Sequence, residues 1–191
     1  MSERLLEHVA AVTRVVEAHA AEPQRILDES AALMGRLVAA DDWLPEEMAA
    51  PHPDFYRQYL LYGDPLERFS LVSFVWGPGQ RTPVHDHCTW GVIGMLRGAE
   101  IDQRYRRAES GLAPDGPARR LGPSDVATLS PAAGDIHQVR NAYDDRVSIS
   151  IHLYGGNIGR IARHVFDPAS GEGKPFVSGY SSHLVPNLWA L

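Results

Sequence analysis

The sequence predicts a mainly β protein with helices ahead of the sheets. Residues 1–42 carry apolar side chains at helical spacing, whereas from Phe69 onward β-branched and aromatic runs alternate with turn residues. The composition, 44% hydrophobic and 22% charged, is that of an ordinary folded protein rather than a disordered, collagenous or coiled-coil chain. A length of 191 residues gives one domain with a sizeable core. We expect a single unit over 1–191, with a helical segment at 1–50 packed on a β-barrel at 55–191 that ends in a C-terminal tail.

Leu5, Val9, Val12 and Val16 recur at spacings of four, three and four, which sets one apolar stripe on a first helix. Pro23 suits the first position of a second helix, in which Ile26, Leu27, Leu33, Met34, Leu37 and Val38 form an apolar face. Trp43–Pro53, with three prolines, reads as a connection, and Phe55–Leu61 as a short helix or turn. Strand-like runs follow at Phe69–Trp76, Thr82–Gly98, Ala99–Arg107, Val126–Ser130, Asp135–Asn141, Arg146–Tyr154 and Arg160–Phe166. Turn signals at 114–117, 131–134 and 167–168 separate several of them, and Ala169–Gly173 reads as a loop tip. So many short strands in about a hundred residues imply a sandwich or barrel.

The formal charge of −6 lies in the first quarter: residues 1–50 hold four basic and ten acidic side chains, and residues 51–191 fourteen of each. No basic stripe is available to track phosphates, so nucleic acid is excluded as the expected partner. No run of about twenty apolar residues suggests a membrane span. The start MSERLLEHVA has acids where a signal peptide needs a basic region, so a cytoplasmic location is expected. The single cysteine, Cys88, has no internal disulfide partner.

The chemistry centres on His85-Asp86-His87. Alternate residues of a strand share a face, so these two imidazoles can converge on one metal while Asp86 points away. A second element, Pro131-x-x-Gly134-x-x-His137-x-x-x-Asn141, brings a third histidine. In Arg146–Tyr154, Ser148, Ser150, His152 and Tyr154 share one face and Val147, Ile149, Ile151 and Leu153 the other. Taken alone, that is also the pattern of a half-buried strand with its polar face in water.

With Gly79, His85, His87, Gly91 and Gly98, the first motif resembles that of the cupins, jelly-roll-like β-barrels that hold a metal inside. Gly91 stands where a glutamate ligand is common, so the implied ligand set is His85, His87 and His137, all neutral. Without a carboxylate the site carries more positive charge and favours an anion such as a thiolate. Three histidines equally permit zinc with a bound water.

Ser150-x-His152-x-Tyr154, thirteen to seventeen residues beyond His137, resembles the arrangement of type I cysteine dioxygenases and the bacterial 3-mercaptopropionate dioxygenases. The resemblance, over about residues 56–166, implies an Fe(II) enzyme that adds both atoms of O₂ to a small thiol carboxylate, giving a sulfinic acid. It implies that Tyr154 points at substrate and oxygen, that His152 orients Tyr154, and that Ser150 holds His152.

Animal members carry a cysteine, linked to the tyrosine by a thioether, where this chain has Gly91, so no crosslink is expected. Cys88 is expected to face away from the metal and pack. Gln58 stands where animal members have a carboxylate-binding arginine, and the glutamine form resembles the enzymes that prefer 3-mercaptopropionate; a slipped register would put Arg57 there instead. Arg163 matches a carboxylate-binding arginine of the glutamine group, or is a solvated charge at a strand end. The expected substrate is 3-mercaptopropionate, with L-cysteine as the alternative. Rival readings are another three-histidine cupin enzyme using zinc or manganese, and a cupin that senses a ligand.

Trp76 and Trp90 are read as core or pocket wall, Arg104, Arg106 and Arg107 as a solvated edge, and His164 and His183 as structural or surface histidines that nothing positions.

Overall fold

The computed structural model describes residues 2–182; His183 lies outside them. Helix α1 (Glu3–Ala18) starts at Ser2, whose hydroxyl accepts from the Leu5 N–H, and buries Leu5, Val9, Val12 and Val16. Helix α2 (Pro23–Val38) begins at Pro23, where the missing N–H costs no helical hydrogen bond. Both helices lie on a sheet and share one apolar cluster with it.

Among the described residues twelve strands follow: β1 (Arg57–Gly63), β2 (Ser70–Trp76), β3 (Val84–His85), β4 (Gly91–Arg97), β5 (Glu100–Arg107), β6 (Leu112–Pro114), β7 (Arg119–Leu121), β8 (Val126–Leu129), β9 (His137–Asn141), β10 (Ser148–Tyr154), β11 (Arg163–Phe166) and β12 (Gly173–Phe176). They form two antiparallel sheets. One has the order β1-β2-β10-β4-β8 and the other β12-β11-β3-β9-β5-β6, with β7 also paired to β5. The chain passes repeatedly from one sheet to the other, which is the jelly-roll-like arrangement expected of a cupin barrel.

Strand β10 lies mid-sheet, and both of its faces are buried. Ile149, Ile151 and Leu153 join the cluster under the helices, while Ser150, His152 and Tyr154 point into the barrel. The polar face thus lines an interior, which overturns the half-buried reading of that strand. Gly94 on β4 lets α2 approach closely: a Cβ there would stand 2.5 Å from Met34 Cγ.

Two expected elements differ. Phe55–Leu61, read as helix or turn, is largely strand β1. Leu61 packs toward the helices and Leu60 toward the barrel, so burial on both faces erases the alternation that would have marked a strand. Thr82–Gly98 is broken into β3 and β4 by an irregular segment that contains His87 and Cys88. Strands β6, β7 and β12, three or four residues each, are too short to announce themselves by pattern.

Candidate active site

His85 closes β3 and His137 opens β9, and the two pair directly across the sheet. His87 lies just past the strand. Its backbone N–H and that of Cys88 both donate to Asp135 Oδ2, at 2.9 and 3.0 Å, which fixes the turn that brings the third ring in. The ring centroids of His85, His87 and His137 are 4.8–4.9 Å apart, and each offers a nitrogen within 4.8 Å of the others.

Burial, followed by mutual repulsion, holds the pKa of His85 and His87 well below the usual imidazole value, so both are neutral and present lone pairs. His85 Nδ1 lies 3.1 Å from the Pro83 carbonyl and His137 Nδ1 2.7 Å from Asp102 Oδ1, which leaves the opposite nitrogens for a shared cation. His87 Nδ1 is buried with no hydrogen-bond partner among the described residues. Convergent neutral donors of this kind fit a transition metal.

Asp102 was not legible as a site residue. It projects inward from β5 and is itself held by Arg104 Nε at 3.2 Å. Burial alone would raise its pKa, but hydrogen bonding to His137 and the charge of Arg104 bring it below the usual carboxylate range. Arg104, expected on a solvated edge, is instead partly buried and also donates to the carbonyls of Gly134 and Thr128. Alternating acids at Glu100 and Asp102 were the available sequence signal.

Behind the histidines runs a hydrogen-bonded chain. Trp76 Nε1 donates to Ser150 Oγ at 3.0 Å, Ser150 Oγ lies 2.8 Å from His152 Nε2, and His152 Nδ1 lies 2.8 Å from the Tyr154 hydroxyl. The Tyr154 ring stacks on His87, with centroids 5.3 Å apart. Desolvation depresses His152 to about 3 and pushes the Tyr154 hydroxyl well up, so both are neutral near pH 7.

These groups open on a cavity of about 200 Å³ between the two sheets. Phe74, Trp76, Val139, Val165 and Phe176 make its wall largely apolar. The volume suits a ligand of a few heavy atoms, below the usual range for drug-sized ligands. Arg163 enters from β11 and is 4% exposed, which removes the solvated reading. Its Nη2 donates to Ser178 Oγ at 2.6 Å, its Cζ lies 4.7 Å from the Phe176 ring centroid, and its Nε has no partner among the described residues.

Gln58 also lines the cavity, with Nε2 donating to the Gly179 carbonyl at 2.7 Å. Arg57 points to the other side of β1, over Phe55, and is not in the lining.

On the outer side, Asp86 turns away from the cavity and accepts from the backbone N–H of His164 at 2.7 Å, with His164 Nδ1 at 2.8 Å. His164, expected to have nothing positioning it, is therefore anchored. Cys88 is exposed rather than packed, because the backbone turns through a positive φ of 55° there. Trp90 packs against the core rather than lining the cavity, its indole lying against Gly155, where a Cβ would collide with it.

No helix among the described residues is long and apolar enough to cross a membrane.

Comparison with known proteins bears on both fold and site. A cysteine dioxygenase type 1 from Danio rerio is 29% identical over 92 residues, covering 46% of this chain and 45% of the relative. The chain thus matches less than half the length of that protein. Among solved structures, a conserved protein with a double-stranded β-helix domain from Klebsiella pneumoniae is 18% identical, with a TM-score of 0.47 over 63% of this chain and 95% of the other. A cupin-2 domain from Rhodospirillum rubrum is 17% identical, with a TM-score of 0.44 over 62% and 72%. The sequence model of cysteine dioxygenase type I matches residues 10–167, which include the three histidines, the serine–histidine–tyrosine chain and Arg163. This chain belongs to the cysteine dioxygenase type I family.

Proposed function

We propose that this protein is an iron(II)-dependent thiol dioxygenase that converts a small thiol carboxylate to its sulfinic acid, with 3-mercaptopropionate as the preferred substrate. The single observation that carries this reading is a buried, incompletely paired Arg163 sharing a cavity of about 200 Å³ with three neutral histidines. One end of that cavity attracts a carboxylate and the other a cation with its own anionic ligand. A short molecule with a carboxylate at one end and a thiolate at the other satisfies both. The overall reaction is balanced: a thiol and O₂ give RSO₂H, with the sulfur oxidised by four electrons and O₂ reduced by four.

His85, His87 and His137 would hold the metal, and Asp102 would fix the His137 ring and raise its basicity. Bound there, iron(II) supplies the Lewis acidity that favours a thiolate and the redox capacity that O₂ chemistry requires. Arg163 would bind the substrate carboxylate through charge-assisted hydrogen bonds, with Gln58 adding a neutral contact, and so fix where the sulfur sits. Tyr154 would direct its hydroxyl toward the substrate and oxygen positions, while His152 and Ser150 hold it there. Phe74, Trp76 and Val139 exclude water and strengthen each of these interactions.

The preference for 3-mercaptopropionate rests on the lining. Among the described residues it contains Arg163 and no carboxylate, so the ammonium of cysteine has no acidic partner there. L-cysteine remains the second candidate, because the Danio rerio relative is named a cysteine dioxygenase.

Oxygen uptake by iron(II)-loaded protein, measured over a concentration series of each thiol with the product mass recorded, tests the reading. A product heavier by two oxygen atoms, and a larger kcat/KM for 3-mercaptopropionate, are expected. A larger value for cysteine overturns the substrate, and no uptake with either thiol overturns the activity.

A further inference from the structure

The residues that alternate with the cavity histidines face the opposite way and form a second cluster. His85 and His87 line the cavity while Asp86 and Cys88 turn outward, and on β11 Arg163 enters the cavity while His164 turns outward to meet Asp86. Asp86, Cys88 and His164 thus come together on the outer side of the barrel. Each offers one ligand atom, and these atoms lie within 4.8 Å of one another.

The backbone holds this cluster from both ends. The Asp86 N–H donates to the His164 carbonyl at 3.1 Å, and the His164 N–H donates to Asp86 Oδ1 at 2.7 Å. Asp86 Oδ2 remains, 2.8 Å from His164 Nδ1. Cys88 reaches the same place because its backbone takes a φ of 55°, uncommon for a residue other than glycine, with its N–H fixed on Asp135 Oδ2 at 3.0 Å. Cys88 is exposed and the His164 side chain is 45% exposed, so the cluster is open to a cation from solvent.

A thiolate, an imidazole and a carboxylate together are a donor set for a zinc-type cation, whereas magnesium and calcium take oxygen donors. A tetrahedral ion with donors at about 2.0–2.3 Å sets them about 3.3–3.6 Å apart, so closing the cluster takes shifts of about 1 Å per side chain. The carboxylate and the thiolate together offset the two charges of the ion. The thiol proton passes to solvent, and water completes the fourth position.

We propose that Asp86, Cys88 and His164 form a second metal site, for a zinc-type divalent cation, on the outer face of the barrel and back to back with the three histidines. Asp86 and Cys88 flank His87, and His164 follows Arg163. A cation held there therefore ties the turn that carries one histidine of the inner cluster to the strand that carries the cavity arginine. The proposal goes beyond the dioxygenase reading and does not rest on it.

The test is a cobalt(II) titration of the full chain loaded with iron(II), without oxygen or thiol, followed in the near ultraviolet, where a thiolate bound to cobalt gives a charge-transfer band. Cobalt that exchanges into the inner cluster gives no such band, because its side-chain donors are all nitrogen and Cys88 is the single cysteine of the chain. The expected result is a band that saturates at one thiolate-bound cobalt per chain, is absent in Cys88→Ser, and is removed when zinc(II) displaces the cobalt. His164→Gln and Asp86→Asn are each expected to weaken binding about tenfold or more, at least the effect of losing an outer partner of a metal ligand. Asp86→Asn keeps an acceptor for the His164 N–H, so it decides even if His164→Gln does not fold. No band up to about 1 mM cobalt overturns the proposal. A band whose midpoint shifts by less than about tenfold in the folded variants also overturns it, leaving an adventitious ion only on a lone thiol. No step depends on turnover, so failure of the dioxygenase reading is seen separately.

Discussion

Gly91 lies directly across from Tyr154 in the β4–β10 pairing, and a Cβ at Gly91 would stand 3.0 Å from Tyr154 Cδ1. The missing side chain is therefore what gives the tyrosine ring its place beside His87. Leu129, 3.2 Å from the same point, blocks escape on the other side. Gly91→Ala is expected to retain metal while displacing the ring, lowering kcat at least tenfold and stability by about 1–3 kcal/mol through overpacking. Oxygen uptake and thermal melts check it; unchanged turnover would show that the ring has room to move. Because Gly91 offers no thiol and Cys88 is exposed, the intact mass after aerobic turnover should show no loss of hydrogen to a crosslink.

Tyr154→Phe keeps the ring packed on His87 and deletes only the hydroxyl. Metal content should match the parent, with kcat lower by about a hundredfold, the lower range for a positioned donor. A variant as fast as the parent removes the hydroxyl from the chemistry.

Asp102→Asn replaces a charged acceptor on His137 Nδ1 by a neutral one. Metal affinity, read by chelator competition, is expected to weaken about 10–100-fold. Equal affinities would assign Asp102 to folding alone.

Gln58→Arg places a second guanidinium in the cavity with Arg163. The expected result is a shift in the ratio of kcat/KM toward L-cysteine of about 3–10-fold, within what one changed polar contact supplies. An unchanged ratio would sink the role given to Gln58.

Acid should destabilise the metal-free protein through its buried neutral histidines. His152 titrates at about 3 and His8, buried between the helices, at about 4, both lowered chiefly by desolvation from 6.5. Below about pH 6.5 the unfolded chain binds more protons, so stability rises with pH through this window by about 1.4 kcal/mol per unit for each histidine. Glu100 acts in the opposite sense: raised from 4.5 to about 7, it favours folding at low pH, and its contribution is lost as pH rises through that interval. Urea unfolding from about pH 7 down to about pH 5 should show falling stability, and His8→Leu should flatten the slope. A slope equal to the parent's would mean that His8 is protonated in the folded state.

The parts legible in the sequence were those that local pattern controls. Helical periodicity and Pro23 gave both helices, and the histidine spacings gave the three rings that converge. The rest depended on contacts between distant segments. Asp102 meets His137 only because β5 pairs with β9, and Asp135 reaches the His87 turn from the other motif. Strand β1 was hidden because apolar residues are needed on both of its faces, and Arg104 read as solvent-facing because its acidic partner sits on the same strand, two residues away.

Strand β10 has no side turned to water, since its odd residues form the floor for the helices and its even residues the working face of the cavity. A lineage that shed the helical segment would lay Ile149, Ile151 and Leu153 bare on the strand that bears the chemistry. The helices and the barrel must therefore be inherited together, and a minimal barrel cut from this chain would need the outer face of β10 rewritten before its inner face could be used.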